Sequence, residues 1–429
     1  MATITVDQAK LVMNAFAATF QNNLISKDVV SWKKYDSEMD DRNGLTVVEQ
    51  VGPRYNVTET TNGVKDLSAG VQDSVYGSEQ FTVNKTFGTS MGWGDFVKIR
   101  DIGAARESEA LKNAATNLAE KIDAYVLRHA VLASNNWLGT PANGVDTFAD
   151  VVQGYTRLKE EGCMDTDLRA ILTYQDKEDL GEAVMAFNAT DALATGAFRQ
   201  GFSGAIGGIP TMFTQQLPTF TTGSRSAAAG AINGASQNHD YASVAVSTSP
   251  GYYMTGTITI DTLGAAATIK DGEVFTIAGV KAYDNRLGAA LTHLQQFRVV
   301  GDATADGAGA ATVRIFPAII VAGDGDVNTA HATVDSTPAD GALLTFVGAA
   351  STAYKPRALL QKDCVIVNTA DLILPASDTA MRKSLSKVPL SVRMWQSSDF
   401  DTGAHSIRFD VALTANTRER RRIVRINGN

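Results

Sequence analysis

Apolar residues that recur every three or four positions predict an amphipathic helix at the start of the chain. Within residues 7–24, Val12, Phe16 and Phe20 fall on one helical face, and Asp7 stands where an N-cap is expected. Such a face packs on its own domain or reaches a neighbouring subunit. The first alternative is the more common one in globular proteins.

A second, longer helix is predicted for residues 104–133, where neither Gly nor Pro interrupts the pattern. Leu111, Leu118, Ile122 and Val126 lie on one stripe, and charged residues lie off it. A coiled coil is the alternative, but the stripe is rich in alanine and covers few heptads. We therefore expect a single long helix that lies across a sheet.

The region between these helices, residues 32–102, is polar and poor in large aliphatic side chains. Its strand-like segments span residues 45–51, 55–60 and 81–87. One face of the last segment carries Phe81, Val83, Lys85 and Phe87. The pattern predicts a long two-stranded arm, which is only marginally stable unless it lies on another surface. These four residues are therefore candidate inter-subunit contacts.

The remaining sequence predicts two regions of mixed structure with a β-domain inserted between them. Before the insertion, helices are predicted at 148–161 and 176–186 and a strand at 168–174. Residues 221–356 are rich in Ala, Gly, Ser and Thr and predict a small barrel or sandwich. Its predicted strands span residues 252–260, 273–280, 297–300, 312–320 and 343–347. Final strands are predicted at 406–413 and 423–426, so the flanking halves should fold together.

Composition limits the classes of function. A chain of 429 residues with 44% apolar and 20% charged residues is typical of a globular protein. Its formal charge of -8 repels nucleic acid as a whole. Two cysteines are too few for a disulfide framework, and the first ten residues have no signal-peptide pattern. No apolar run is long enough to span a membrane, so we expect no membrane partner and folding in the cytoplasm.

The motif search predicts no catalytic residue and no cofactor. The five histidines are isolated in sequence, and neither a phosphate-binding loop nor a nucleophile elbow is present. The Gly-rich stretch 201–208 lacks the lysine and the preceding strand of a phosphate loop, which favours a flexible loop. We therefore predict that the chain is not an enzyme.

Two polar segments remain as candidate sites. Asp324, Asp326, Asn328 and Asp335 have the spacing of calcium ligands, although the turn glycine and the final glutamate are missing. A solvated acidic loop is the favoured interpretation, so no metal is predicted. The only dense basic cluster contains Arg418, Arg420, Arg421 and Arg422. We expect these arginines to pair with carboxylates of a neighbouring subunit, and nonspecific contact with DNA is the alternative.

Two stretches of the predicted β-domain resemble a known family. Residues 269–285 and 294–320 are similar to the inserted domain of coat proteins of short-tailed Salmonella phages of the P22 type. The matching positions are Gly272, Phe275, Ala278, Gly279 and Val280. Residues 416–419 are similar to the close of those proteins, and the order of predicted elements agrees along nearly the whole chain.

The resemblance implies an α+β fold of the Hong Kong 97 phage capsid type with an inserted small β-barrel. The implied parts are an N-terminal arm helix (1–31), an extended β-loop with peripheral strands (32–102), the spine helix (103–138), the first part of the axial domain (139–220), the inserted β-barrel (221–356), and the axial return with C-terminal peripheral strands (357–429). In relatives a hairpin of the insertion projects toward a neighbouring capsomer. Its counterpart here, residues 244–256, is short and nearly uncharged.

The resemblance also implies a major capsid protein of a tailed bacteriophage virion. Its implied assembly is a homo-oligomer of pentamers and hexamers in an icosahedral shell, formed in the host bacterial cytoplasm. The implied partners are a scaffolding protein, a portal protein at one vertex, a decoration protein and packaged double-stranded DNA held by nonspecific contact. The alternative from the residues alone is a β-rich surface or fibre protein, with an enzyme as the third choice.

Overall fold

A computed structural model gives the architecture. It describes residues 6–34, 46–57, 72–92, 109–163, 166–186, 205–206, 208–226, 230–247, 249, 251–374, 379–398 and 405–428. Within these residues the fold is mixed α+β, as the sequence predicts.

Helices occur mainly in the first half of the chain. Their bounds are α1 Val6–Asn23, α2 Ser26–Val29, α3 Glu109–Leu132, α4 Phe148–Glu160, α5 Tyr174–Ala186, α6 Tyr241–Val244 and α7 Asp326–Ala330. Short 3-10 turns span Lys362–Cys364 and Arg420–Arg422. The predicted N-terminal helix is confirmed, and the long helix is confirmed from Glu109 to Leu132. Residues 104–108 lie outside the described residues.

Strands dominate the rest of the chain. Those before the inserted sheet are β1 Ser31–Lys34, β2 Thr46–Val51, β3 Gly77–Thr82, β4 Lys85–Gly92, β5 Asn136–Leu138, β6 Leu168–Leu172, β7 Ala205–Ile206, β8 Ile209–Phe213 and β9 Phe220–Thr221. We call residues 221–356, the predicted insertion, the inserted region; it contains β10 Ala231–Ile232, β11 Gly256–Asp261, β12 Thr268–Ile269, β13 Val274–Asp284, β14 Ala289–Val299, β15 Ala303–Thr304, β16 Ala311–Phe316 and β17 Leu344–Phe346. The chain continues with β18 Ala353–Tyr354, β19 Arg357–Gln361, β20 Val365–Ala370, β21 Thr379–Ser384, β22 Ser391–Ser398, β23 His405–Thr417 and β24 Ile423–Ile426.

The chain divides into two compact units, and each combines distant parts of the sequence. The first unit comprises Met1–Val47, Thr82–Ala130 and Lys362–Arg418. Its described residues contain a sheet in the order β1-β20-β23-β22-β21, with β4 also paired to β23. Phe16 of α1 stacks on Phe409 of β23 with ring centroids 3.8 Å apart. The apolar face of α1 therefore packs on its own unit, the first of the two alternatives.

The long helix α3 anchors the start of the chain within this first unit. Asp123 of α3 is buried, and its carboxylate accepts hydrogen bonds from the backbone amides of Ile25 (2.8 Å) and Ser26 (2.9 Å). Burial is the main cause of a raised pKa of Asp123, and the amide hydrogen bonds oppose it. These bonds fix the beginning of α2 on the long helix.

The second unit comprises Val48–Phe81, Val131–Gln361 and Glu419–Asn429. Its described residues contain two larger sheets, in the orders β5-β24-β19-β6-β8-β7 and β10-β11-β16-β14-β13-β17. Five strands of the second sheet overlap the strands predicted for the β-rich region, whereas β10 was not predicted and β14 begins at Ala289, well before the predicted residue 297. Its core includes Ile258, Phe275, Phe297 and Ile315, none more than 1% exposed.

Two predictions about residues 32–102 are wrong where the structure describes them. Residues 81–87 are not one strand, because β3 ends at Thr82 and β4 begins at Lys85. Residues 55–57 are not in a strand, and residues 58–60 lie outside the described residues. Elsewhere in the described part of this region, β1 pairs with β20 and β4 pairs along its length with β23. Among the described residues, β2 and β3 form a two-stranded ribbon.

The Gly-rich stretch 201–208 is also not a loop throughout. Ala205 and Ile206 form β7, which pairs with β8 at the edge of a sheet. Ile206 is 2% exposed and belongs to the core beside that sheet, which explains why this part of the stretch is ordered. Residues 201–204 and 207 lie outside the described residues.

Candidate functional site

The structure separates the four candidate contact residues of the predicted arm. Phe81 and Val83 are 2% and 1% exposed, so their side chains are covered within the chain itself. Lys85 is exposed, and Phe87 is half-buried beside Tyr125 with ring centroids 5.3 Å apart. The alternation that suggested one contact face is broken between β3 and β4. Lys85 and Phe87 keep accessible surface for a neighbour, whereas Phe81 and Val83 serve packing.

The C-terminal arginines also have different environments. Arg418 is exposed, and Arg421 and Arg422 are half-buried. Arg422 Nη1 donates to the side-chain oxygen of Gln361 at 3.1 Å. Arg420 is 7% exposed, donates to the carbonyl oxygen of Gly251 and stands 5.0 Å from the ring centroid of Phe316. The cluster is therefore not a uniform basic surface, because Arg420 is a core residue.

The acidic loop residues take part in hydrogen bonds that hold the local fold. The side-chain oxygen of Asn328 accepts from the Tyr241 amide at 2.8 Å, and its amide group donates to Asp240 at 3.0 Å. Asp335 accepts from the Lys281 amide at 2.8 Å. Asp324 and Asp326 are exposed. Among the described residues no group of three or more His, Cys, Asp or Glu side chains is placed to hold a metal ion.

Sequence reasoning missed a buried pair of arginines where α3 ends. Arg425 of β24 is fully buried and donates to three carbonyl oxygens, those of Leu132 (3.1 Å), Ser134 (2.7 Å) and Gly272 (2.8 Å). Arg298 of β14 donates from Nε to the same Leu132 oxygen at 2.6 Å. The last carbonyls of a helix lack partners inside the helix and carry partial negative charge, so cationic donors stabilise them.

Burial lowers the pKa of both guanidinium groups, that of Arg298 to about 10 and that of Arg425 to about 9. Asp271 opposes this effect, and its carboxylate accepts from Arg298 Nη2 at 2.9 Å. Both arginines stay charged at neutral pH and join the end of α3 to two different sheets. A sequence signal exists, since each arginine is flanked by apolar residues inside a predicted strand.

A second buried ion pair joins Arg357 of β19 to Asp176 of α5. The two side chains are 2% and 0% exposed, and they meet through two hydrogen bonds of 2.7 and 2.6 Å. Asp176 also accepts from the amide and the hydroxyl of Thr173, both at 2.7 Å, where α5 begins. This two-point geometry fixes the helix to the sheet. Like the arginine pair, this ion pair is placed to stabilise the fold and not to act in catalysis.

Large apolar side chains remain exposed in and beside the ribbon. We define the ribbon surface as Val48 of β2 and Tyr55, Val57 and Tyr76 in the segments that flank the two strands; these four side chains are between 53% and 91% exposed. Tyr55 lies in the segment after β2 and is joined by a hydrogen bond of 2.8 Å to Ser74, in the segment before β3. Exposed apolar side chains in neighbouring segments are typical of a surface that another protein covers.

A comparison with known families decides the class of protein. The sequence model of the family described as P22 coat protein, gene protein 5, matches residues 1–423. The chain belongs to the P22 coat protein family. It is accordingly the major capsid protein of a tailed phage, a structural protein of the icosahedral shell and not an enzyme. The resemblance found in the sequence is confirmed, as is the α+β fold class. The fibre alternative is thereby set aside.

Solved structures similar to this coat protein include chains from several bacteriophages. A chain from Mycobacterium phage Che8 is 10% identical, with 95% of this chain and 90% of that chain covered and a TM-score of 0.43. The mature capsid of bacteriophage PhiM1 is 11% identical, with 94% and 86% covered and a TM-score of 0.43. The CUS-3 coat protein I-domain is 25% identical, with 28% and 96% covered and a TM-score of 0.20. No curated protein sequence matches the chain significantly.

The described helices include none that is both long and apolar enough to cross a membrane.

Proposed function

We propose that this coat protein forms pentamers and hexamers that close into a shell around double-stranded DNA, with ribbon-mediated contacts between neighbouring subunits. The observation that carries this proposal is the exposed ribbon surface, in which Val57 is 91% exposed. Burial of apolar area contributes about 25 cal/mol per Å², so a covered ribbon adds stability at every subunit. Contacts that are weak singly become strong in a closed assembly, because many form together.

Further accessible residues and the net charge extend this proposal to other contacts and partners. Lys85, Phe87, Arg418, Arg421 and Arg422 keep accessible surface and are proposed contacts with neighbouring subunits. The net charge of -8 supports a container that holds DNA by weak nonspecific contact. A scaffolding protein, a portal protein at one vertex and a decoration protein complete the proposed partners, with assembly in the host cytoplasm.

The test compares two valine substitutions. Val57→Glu places a charge on the ribbon surface, and Val152→Glu places one on α4 at a valine that is 46% exposed. Each variant is produced with and without a scaffolding protein, and closed shells are counted by electron microscopy. We expect Val57→Glu to abolish shells while its urea unfolding curve stays unchanged, and Val152→Glu to assemble. Normal shells from Val57→Glu would refute the proposed role of the ribbon.

A further inference from the structure

The ribbon is attached to the inserted region of its own chain. The Ser78 amide in β3 donates to the Ala245 carbonyl at 2.9 Å, and the Ser247 amide donates to the Ser78 carbonyl at 3.0 Å. Ser78 and Val246 are therefore partners in a parallel bridge. Both polar backbone groups of Ser78 point to this segment, so the segment occupies an edge of β3 that would otherwise need solvent or another chain.

A buried charge strengthens this attachment one residue further along β3. Glu79 is 4% exposed, and its carboxylate accepts from the Gly251 amide at 2.9 Å. Arg420 donates to the carbonyl oxygen of the same Gly251. Glu79 and Arg420 therefore bind the amide and the carbonyl group of one residue. Burial raises the pKa of Glu79, whereas Arg420 and the backbone amides lower it. A buried carboxylate is costly unless it is paired in this way.

Close packing at Gly77 fits the same arrangement. A Cβ at this position would lie 2.6 Å from Tyr253 Cε2 and 3.2 Å from the hydroxyl of Tyr241. Contacts that short are repulsive, so only glycine lets the ribbon lie against these two rings. The position is occupied by glycine for reasons of space, because its φ is not in the left-handed region.

The other strand of the ribbon is attached beyond its end. The Arg54 amide donates to His331 Nε2 at 3.3 Å, and His331 stacks on Tyr241 with ring centroids 3.5 Å apart. The Asn56 amide group donates to Asp326 at 3.4 Å. Both sides of the ribbon therefore contact the part of the inserted region that contains α6 and α7.

We propose that the segments 241–247 and 251–254, together with His331 and Arg420, form a latch that holds the ribbon of the same chain in one direction, at the end where β2 finishes and β3 begins, before a neighbouring subunit binds. The purpose assigned to the latch rests on the proposed function, in which the ribbon contacts a neighbour. A two-stranded ribbon alone is only marginally stable, and ordering its residues costs conformational entropy. If the latch orders the ribbon during folding, this entropy cost does not recur when subunits associate, so the free energy of association is more favourable.

The parallel bridge offers a direct test by cross-linking. Ser78→Cys with Val246→Cys places two thiols at bridge partners, a separation that a disulfide can span. Cys163 and Cys364 are buried and present in every sample. The matched control is Ser78→Cys with Ser243→Cys, since Ser243 is exposed nearby on α6 but is not a bridge partner. The purified, unassembled protein is oxidised mildly and run on a non-reducing gel.

We expect a disulfide within one chain for the 78/246 pair and none for the control pair. Gly77→Val in the 78/246 background should slow cross-linking by about tenfold, the factor that a loss of ~1.4 kcal/mol corresponds to. Thiols that stay reduced, or disulfides that join two chains, would overturn the latch. A rate unchanged by Gly77→Val would overturn it as well.

The same samples separate the latch from the proposed function. The oxidised 78/246 protein is mixed with scaffolding protein, and shells are counted by electron microscopy. Cross-linked chains that form shells support both proposals. If the 78/246 disulfide forms within one chain and the Val57→Glu variant still assembles into shells, the latch stands and the contact role of the ribbon is refuted. If the 78/246 protein assembles into shells but its disulfide does not form under oxidation, the latch alone is refuted.

Discussion

Removing the charge of Asp176 should destabilise the second unit strongly. Asp176→Asn keeps the shape of the side chain and its ability to accept hydrogen bonds from Thr173. It leaves the Arg357 guanidinium, only 2% exposed, without its carboxylate. Breaking a buried ion pair from one side costs about 3–5 kcal/mol, because the remaining charge is buried without compensation. This cost is a large part of the ~5–15 kcal/mol that stabilises a typical protein.

The assay is urea unfolding of the unassembled protein, followed by tryptophan fluorescence, to which Trp137, 1% exposed in the same unit, contributes. With a slope of about 3 kcal/mol per molar urea, the midpoint should fall by roughly 1 M or more. The control is Glu178→Gln on the exposed side of α5, which should change stability by less than about 0.5 kcal/mol.

A second substitution distinguishes a lost charge partner from lost packing. Arg357→Met in the Asp176→Asn background removes the uncompensated cation, so the double variant should recover most of the stability. A single variant within about 0.5 kcal/mol of the wild type would refute the reasoning. So would a double variant as unstable as the sum of the two single variants.

Three further predictions concern other positions in the fold. The pKa of Asp123 is raised above its ordinary 3.8, so the folded protein binds this proton more tightly than the unfolded chain, and stability falls as the pH rises from 3.8 through the raised pKa. Asp123→Asn should flatten this pH dependence, as urea midpoints measured from about pH 3.5 upward would show. Burial lowers the pKa of His331 from 6.5 to about 4, so stability falls as pH drops through this window; His331→Phe, which retains the ring stack, should remove that share of the acid loss. Gly88→Ala would press a Cβ against the carboxylate of Asp410 and should lower the free energy of unfolding by about 1–3 kcal/mol. Gly181→Ala on α5 meets nothing within 4 Å and should raise it by up to about 1 kcal/mol; thermal unfolding measures both changes.

Local sequence patterns determined the elements that carry their own periodicity. The helix Glu109–Leu132 follows from an uninterrupted apolar stripe, and β24 coincides with the predicted residues Ile423–Ile426. The strands β11, β13, β16 and β17 of the inserted sheet follow from β-branched and aromatic residues between turn residues, whereas β10 and most of β14 were not predicted. These signals are local, because a side chain's position on a helix or strand depends on residues a few positions away.

Only the tertiary structure decided what each surface meets. The alternation through Phe81, Val83 and Lys85 reads as one strand, yet the chain breaks there to join two different sheets. Four neighbouring arginines read as one basic patch, yet Arg420 turns inward to Gly251 while Arg418 stays exposed. Burial of a charge depends on partners far away in the chain, such as carbonyl oxygens at the end of a helix, and no local pattern encodes them.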